Sequence, residues 1–302
     1  MSEFRWSQLA SSQDGLFELS RRVVGRGAYE GLIFHEIEAK TIISKAPPST
    51  PWFGYSINAY RGCSHRCSFC FARPTHEYLG FNMGDDFDRQ IVVKANAVEL
   101  VRAETEPGRW GGDMIAMGTN TDPYQAAEGK YRLTRGIIEV LSGRQNDFSI
   151  LTKSPLVLRD IDLIADAARH SNASVSFSVA TLDEDVWRRT EPGAPHPRKR
   201  LDALARLRAA GVPGGVMMAP VLPGISDRPD QKAAVRSAAL AAGAEWVNEV
   251  KLHLRGVRPH FMEWLATDSP ELLPRYERLY PLQMKKRAKS RSKVDHNQLR
   301  IT

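Results

Sequence analysis

Hydrophobic and polar positions along this chain follow two alternating periods. Short apolar runs at YSINAY (55–60), DMIAMGT (113–119), FSILTK (148–153), VSFSVAT (175–181), GVMMAPV (215–221) and WVNEVKL (246–252) are bounded by Gly, Pro or polar residues and predict six strands. Between them the apolar residues recur at helical spacing. KANAVELVRAE (94–104) predicts a helix. Leu133, Ile137, Val140 and Leu141 share one side of a second, and Val157, Ile161, Ile164, Ala165 and Ala168 form one face of a third. Leu201, Leu204, Ala205 and Leu207 mark a fourth, stopped by Gly211, and the Ala-rich stretch 230–242 a fifth. Strand–helix alternation of this kind is the pattern of parallel βαβ units. The predicted fold is therefore α/β, a partial (β/α)6 TIM-type barrel with an N-terminal extension. Consecutive right-handed crossovers would place every strand's C-terminal end on one face, where the chemistry of such folds gathers. A doubly wound open sheet fits the same alternation.

Three regions follow. Residues 1–50 read as an extension that packs on the main domain and ends in KAPPSTP, where Pro47, Pro48 and Pro51 break any helix or strand. Residues 51–280 form the barrel. Residues 281–302 are a basic tail whose segment MKKRAKSRSKVD (284–295) carries no apolar period; a solvated terminus and a nucleic-acid contact are its two readings.

Composition narrows the class. Hydrophobic residues at 42% and charged residues at 25% exclude a disordered or collagen-like chain. No run of about 18 apolar residues is present, so no membrane-spanning helix is expected. The start MSEFRWSQLASSQDG lacks a basic stretch followed by an apolar core, so no signal peptide is expected there. The net charge of +7 suits a nucleic acid, and equally an acidic electron donor.

Cysteine usage changes the picture most. The chain has three cysteines, all within RGCSHRCSFCFARPTHEYLGF (61–81), at Cys63, Cys67 and Cys70. An odd number cannot close a disulfide framework, and the spacing reads as a metal site in a reducing compartment, the cytoplasm. The loop begins directly after the first predicted strand, with Gly62 at its turn and Pro74 near its end. Three thiolates in one tight loop suit an iron–sulfur cluster with one iron left open to a substrate or cofactor, whereas four cysteines would close it. The alternative is zinc held by the cysteines with His65 or His76. Structural zinc more often draws paired ligands from two places, and His65 between two cysteines would be strained.

With Phe69 before the third cysteine, Cys-x3-Cys-x2-Cys resembles the signature of the radical S-adenosylmethionine (radical SAM) superfamily. More narrowly, the chain resembles the spore photoproduct lyase-like group, often labelled DNA repair photolyase, in its actinobacterial branch. The segments that carry the resemblance are 58–81, GTNTDPYQAAEGKYRLTRGIIEVL (118–141), SILTKSP (149–155), 191–227 and LHLR (252–255). The resemblance implies a [4Fe-4S] cluster on Cys63, Cys67 and Cys70 and S-adenosyl-L-methionine as cofactor. It also implies a one-electron reductant such as flavodoxin or ferredoxin, and hydrogen abstraction from a substrate for which nucleic acid is a candidate.

The resemblance further implies where SAM is held. Its amine would meet the end of the second barrel strand, at Thr119, Asn120 and Asp122, all of which offer side-chain oxygens. Gly111-Gly112-Asp113 lies before that strand, at the wrong end, and is a decoy. Ser178 on the fourth strand and Glu191 in the Pro-rich turn are polar candidates for the ribose and carboxylate. Phe69, Pro220 and Leu222 would border the adenine. Lys153 ends the third strand beside them, with a salt bridge as its rival role, and His253 and Arg255 are substrate-side candidates. Each has a plain structural reading as a polar turn, a small core residue or an apolar strand end. Spore photoproduct lyase is thought to quench its product radical with a further thiol; this chain has none, which leaves a tyrosine such as Tyr124 as a hydrogen donor. A non-catalytic zinc or iron–sulfur module is the alternative to an enzyme, but such a clip has no need of GTNTDPYQ.

Overall fold

The computed structural model describes residues 17–47 and 53–282. Its larger sheet has seven strands. Six of them are the predicted ones: β4 (Tyr55–Ile57), β7 (Ile115–Met117), β8 (Phe148–Thr152), β9 (Ser174–Ser178), β10 (Val216–Val221) and β11 (Val247–Lys251). They lie side by side in chain order and pair in parallel throughout. A doubly wound sheet would reverse its strand order partway across. None of these six does, so the sheet is singly wound, as in a partial barrel. The seventh strand, β3 (Ile43–Lys45), runs antiparallel on the outer edge of β4.

Local sequence explains the elements. In β8 the side chains of Phe148, Ile150 and Thr152 are buried while Ser149 and Leu151 are half-buried, the alternation of a strand with one deep face. β9 sits mid-sheet and is buried from Val175 through Ser178. The longer of the two helices between β7 and β8 runs Leu133–Gly143 and buries Leu133, Thr134, Ile137, Ile138 and Leu141, one continuous stripe. The longer of the two helices between β9 and β10, Pro197–Ala209, starts with Pro at its first position and is capped by His196, whose Nδ1 accepts from the Arg198 N–H at 3.2 Å. It lays Leu201, Leu204 and Leu207 on the sheet, within the same core as Phe148, Phe177 and Val216.

The N-terminal segment builds a second sheet. β1 (Phe17–Val24) and β2 (Ile33–Ala39) form a hairpin, and β2 pairs in parallel with β6 (Gln90–Lys94), which pairs antiparallel with β5 (Tyr60–Arg61). The strand order is β1-β2-β6-β5. Phe34, Tyr60, Ile91 and Val93 face the main core, while Ile37 and Val92 face Leu79 and Phe81 of the cysteine segment. Two expectations are corrected here. YSINAY splits between the sheets, and the helix expected over 94–104 begins at Ala97, because Lys94 ends a strand. The run IVV at 91–93 is too short, and too close to a helical pattern, to stand out as a strand. The basic tail lies, from residue 283, outside the described residues. Among the described residues no helix is long and apolar enough to cross a membrane.

Candidate active site

The three cysteines lie on the segment that connects β5 to β6. At Gly62 the backbone turns with φ of +79°, and a Cβ there would meet the Phe87 carbonyl at 2.8 Å and the His76 ring at 2.9 Å. The loop is clamped from three sides. The Cys63 N–H donates to the Phe87 carbonyl at 3.0 Å, and the Ser68 N–H to that of Thr190 at 3.0 Å. Gln125, fully buried, accepts from the Ser64 N–H at 3.0 Å and donates to the Gly62 carbonyl at 2.8 Å. Arg73, 1% exposed, donates to the Cys67 carbonyl at 3.0 Å, to the Met83 and Gly84 carbonyls, and to Asp88 at 2.8 Å. Nothing in the sequence singled out Arg73 or Asp88; an arginine three residues after the last cysteine was the one available signal.

A cavity of about 250 Å³ opens beside this loop. All three cysteines line it, together with residues from the C-terminal ends of five barrel strands, among them Thr119, Lys153, Ser178, Pro220 and His253. Gly118 makes the turn at the end of β7, with φ of +97°; a Cβ there would sit 2.1 Å from the Leu151 carbonyl oxygen. That close approach lets residues 119–122 fold over the cavity rather than continue the strand.

The thiols sit in apolar, confined surroundings. Burial pushes Cys67 up to about 12, with Lys153 opposing; burial, Asp122 and the neighbouring thiols raise Cys63. Bare thiolates would be costly there, whereas bound iron cations would hold them deprotonated. Among the described residues no three His, Cys, Asp or Glu side chains are grouped to hold one metal ion. Three cysteines on a cubane each bind a different iron and need not converge on one point. The thiol loop around an open cavity thus suits a cluster.

The sequence-derived candidates separate into two layers. Phe69, Thr119, Asn120, Asp122, Ser178 and Pro220 line the cavity, and so do Lys153 and His253. Glu191 and Leu222 lie behind the wall. Glu191 pairs with Arg200 at 2.6 Å and with Lys153 at 3.5 Å, and Leu222 packs with Phe69, Val186 and Ile225. Asp122 faces the cavity with its oxygens already engaged: Oδ1 accepts from Thr152 Oγ1 at 2.7 Å and the Tyr124 N–H at 2.8 Å, and Oδ2 from the Lys153 N–H at 2.7 Å, with His65 Nδ1 at 3.3 Å. Burial opposes its ionisation, but His65, Thr152 and the Lys153 amide pull its pKa down to about 2. Lys153 fills both roles considered for it. Its Nζ donates to Ser178 Oγ at 3.0 Å and stands 5.7 Å from the centre of the Phe69 ring.

Tyr124 is a correction. Its side chain is 1% exposed and its hydroxyl donates to Asp160 at 3.0 Å, in the core rather than on the cavity wall, so it cannot hand a hydrogen to anything bound there. Arg255 likewise does not line the cavity. Residues not foreseen on its wall include His65, Phe71, Met217 and Lys251. Asn58 was also not foreseen: its amide donates to Thr119 Oγ1 at 2.9 Å and its oxygen accepts from the Asn120 N–H at 2.9 Å, which fixes the loop after β7.

A three-cysteine loop at the C-terminal mouth of a singly wound parallel barrel defines a class of cofactor-dependent enzymes in which the protein positions and shields a reactive group. The chain belongs to the radical SAM superfamily, whose family model matches residues 57–234. It is 46% identical, over 86% of its own length and 77% of the other, to an uncharacterised protein of Mycobacterium tuberculosis. In fold it is similar to spore photoproduct lyase complexed with dinucleoside spore photoproduct, with a TM-score of 0.58 and 15% identity over 82% of this chain and 80% of that one. It is equally similar to a variant of that lyase with bound AdoMet and dinucleoside spore photoproduct, with a TM-score of 0.59 and 14% identity over 86% and 85%. The protein is an enzyme of SAM-dependent radical chemistry.

Proposed function

We propose that this enzyme binds a [4Fe-4S] cluster through Cys63, Cys67 and Cys70, binds S-adenosyl-L-methionine against it, and abstracts a hydrogen atom from a substrate in the same cavity. The carrying observation is that one cavity is walled by all three thiols and by the C-terminal ends of the barrel strands. When bound and reduced by a flavodoxin- or ferredoxin-like donor, the cluster supplies the electron that splits SAM into methionine and a 5′-deoxyadenosyl radical.

The chain's own residues hold and orient the cofactor. Thr119 and Asn120, fixed by Asn58, present oxygens to the methionine amine. Lys153 presents its half-buried ammonium to the methionine carboxylate; burial opposes that charge, and Glu191 at 3.5 Å outweighs it and holds the ammonium protonated. Ser178, already bonded to Lys153 and to the Ala219 carbonyl at 3.0 Å, meets the ribose. Phe69 and Pro220 border the adenine, with Leu222 packed behind Phe69. Asp122 and Glu191 act through their neighbours, Asp122 on the Lys153 backbone and His65, Glu191 on the Lys153 ammonium.

Nucleic acid is the substrate class we favour. The net charge of +7 supports it, as does the likeness in fold to a lyase solved with a dinucleoside photoproduct. Phe71, 63% exposed beside Cys70, with Lys251 and His253 across the mouth, offers a planar apolar face and nearby basic groups for a base and its phosphate. With no fourth cysteine and Tyr124 turned away, the product radical takes its hydrogen from something other than a protein thiol or that tyrosine.

The test is anaerobic reconstitution with iron and sulfide, then dithionite and SAM, with 5′-deoxyadenosine as the readout. The wild type should show broad absorbance near 400 nm (roughly where thiolate-bound clusters absorb) and release deoxyadenosine. Cys67→Ala should lose both. Deoxyadenosine release that persists in Cys67→Ala, or a colourless protein holding one zinc, would overturn the assignment.

A further inference from the structure

A second cavity, of about 530 Å³, lies on the N-terminal sheet, away from the thiols. Arg21 of β1, Arg26 of the following turn and Lys130 of the short helix Ala126–Tyr131 line it, together with Tyr29, and no carboxylate does; the neighbouring Arg22, in register with His35, projects from the other face of the strand. Among the described residues none of these three cations stands within salt-bridge distance of a carboxylate; the Lys130 ammonium lies 5.4 Å from the centre of the Tyr131 ring. The nearest acid in register, Glu36 opposite Arg21, already accepts from the Tyr131 hydroxyl at 2.8 Å.

Charges on an edge strand often serve only to block pairing with another chain, and β1 is an edge strand. That reading accounts for an arginine on β1. It does not account for Lys130, which reaches the same cavity from a different element, nor for a concave shape. Arg21, Arg26 and Lys130 outnumber the one acid in register, Glu36, and an anion in the cavity relieves the repulsion among them. Two of them, Arg21 and Arg26, are arginines, whose planar donor forks match phosphate oxygens. The turn that carries Arg26 is held in shape by the Gly25 N–H bond to the Leu32 carbonyl at 2.8 Å and by the Leu32 N–H bond to that of Tyr29 at 3.1 Å, so the site is built rather than an extended arm.

We infer that this cavity binds phosphate oxyanions, and that their source is the backbone of a nucleic-acid strand gripped apart from the thiol cavity. The inference does not depend on the cluster chemistry proposed above. It also differs from binding through the basic C-terminal residues, which the same experiment separates.

The experiment is fluorescence anisotropy of a labelled oligodeoxynucleotide with the reconstituted full-length enzyme, from roughly 50 to 200 mM salt. The wild type should bind with affinity falling steeply as salt rises. The double variant Arg21→Ala/Arg26→Ala should bind at least about 10-fold more weakly at low salt. Its log–log salt slope should be shallower by about 2, because two phosphates would no longer be neutralised. Deoxyadenosine released without substrate should be unchanged in that variant, which shows the fold and the cluster site intact. Inorganic phosphate that binds the wild type at low millimolar concentration but not the double variant, with no oligonucleotide binding, would assign the site to a free phosphate instead. Unchanged affinity and slope in the double variant, or loss of binding only when residues 284–302 are deleted, would overturn the inference.

Discussion

The side-chain amide of Gln125 closes a ring with the turn at Gly62. Its nitrogen donates to the Gly62 carbonyl at 2.8 Å and its oxygen accepts from the Ser64 N–H at 3.0 Å. Both bonds flank Cys63, so a residue 62 positions away in sequence sets the shape of the cysteine loop. Gln125→Ala would strand the Ser64 N–H, at a cost of about 1–3 kcal/mol, and would leave the Gly62 carbonyl held by the Thr121 hydroxyl alone, at 2.6 Å. We expect lower iron content after reconstitution and faster cluster loss to a chelator. Gln125→Glu keeps the acceptor for Ser64 but turns a lone pair toward the Gly62 carbonyl, and should be at least as damaging. Iron and sulfide content equal to wild type in both variants would show that the clamp is dispensable.

Glu191 and Arg200 form a charge pair in the core, 2.6 Å apart, with Arg200 fully buried and Glu191 2% exposed. Burial alone would raise the Glu191 pKa, but Arg200 and Lys153 outweigh it and hold the carboxyl below its usual range. Removing one partner of such a pair strands the other, at a cost of about 3–5 kcal/mol. Glu191→Gln should lower the unfolding midpoint by on the order of 10 °C. It should also weaken SAM binding, because Lys153 loses its counter-charge and its place on the wall. A variant that melts like wild type would show the pair to be energetically idle. A variant that loses stability while keeping SAM affinity would show that Lys153 does not need Glu191.

The legible parts of this molecule are those whose signal is local. The six barrel strands carry apolar runs between turn residues, and the cysteine loop carries its chemistry in eight consecutive positions, 63–70. The second sheet was hidden because its pairing is not local. β2 finds β6 more than 50 residues along, and β6 is five residues long with a helix two residues beyond. The GTNTDPYQ segment was legible as important, but its labour was divided differently. Thr119 and Asn120 face the cavity, whereas Asp122, Tyr124 and Gln125 turn their polar atoms onto the protein. Residue type alone does not say which way a polar side chain in a turn will face; the strand ends around it decide.

Tyr124 supplies a prediction about the fate of the substrate radical. Its hydroxyl bonds Asp160, which Arg135 and Arg159 also hold at 3.0 Å and 2.8 Å. Tyr124→Phe removes one of several bonds to that carboxylate and should cost about 1 kcal/mol of stability. Deoxyadenosine formation and the products formed from any substrate should match the wild type. A change in product distribution, or solvent deuterium entering product in the wild type but not in the variant, would place this tyrosine on the hydrogen-return route after all.

Lys94 ends β6 with its side chain largely out of water beside Arg61. Burial, and then repulsion from Arg61, lower its pKa from 10.5 to about 8, with Glu104 opposing. Between those two values the unfolded chain holds a proton that the folded chain has released. Stability contributed by this site therefore rises as pH climbs from about 8 toward 10.5, and the full penalty of the buried charge is present below about 8. Lys94→Met keeps the length of the side chain and removes the charge. It should raise the unfolding midpoint relative to wild type at pH 7, and that advantage should shrink steadily between pH 8 and about 10 as the wild-type ammonium deprotonates. Because both proteins share every other titrating group, the difference between their midpoints isolates this site. A difference that stays constant from pH 7 to about 10 would mean that Lys94 keeps its proton in the fold, with water or Glu104 solvating it well enough to cancel the burial.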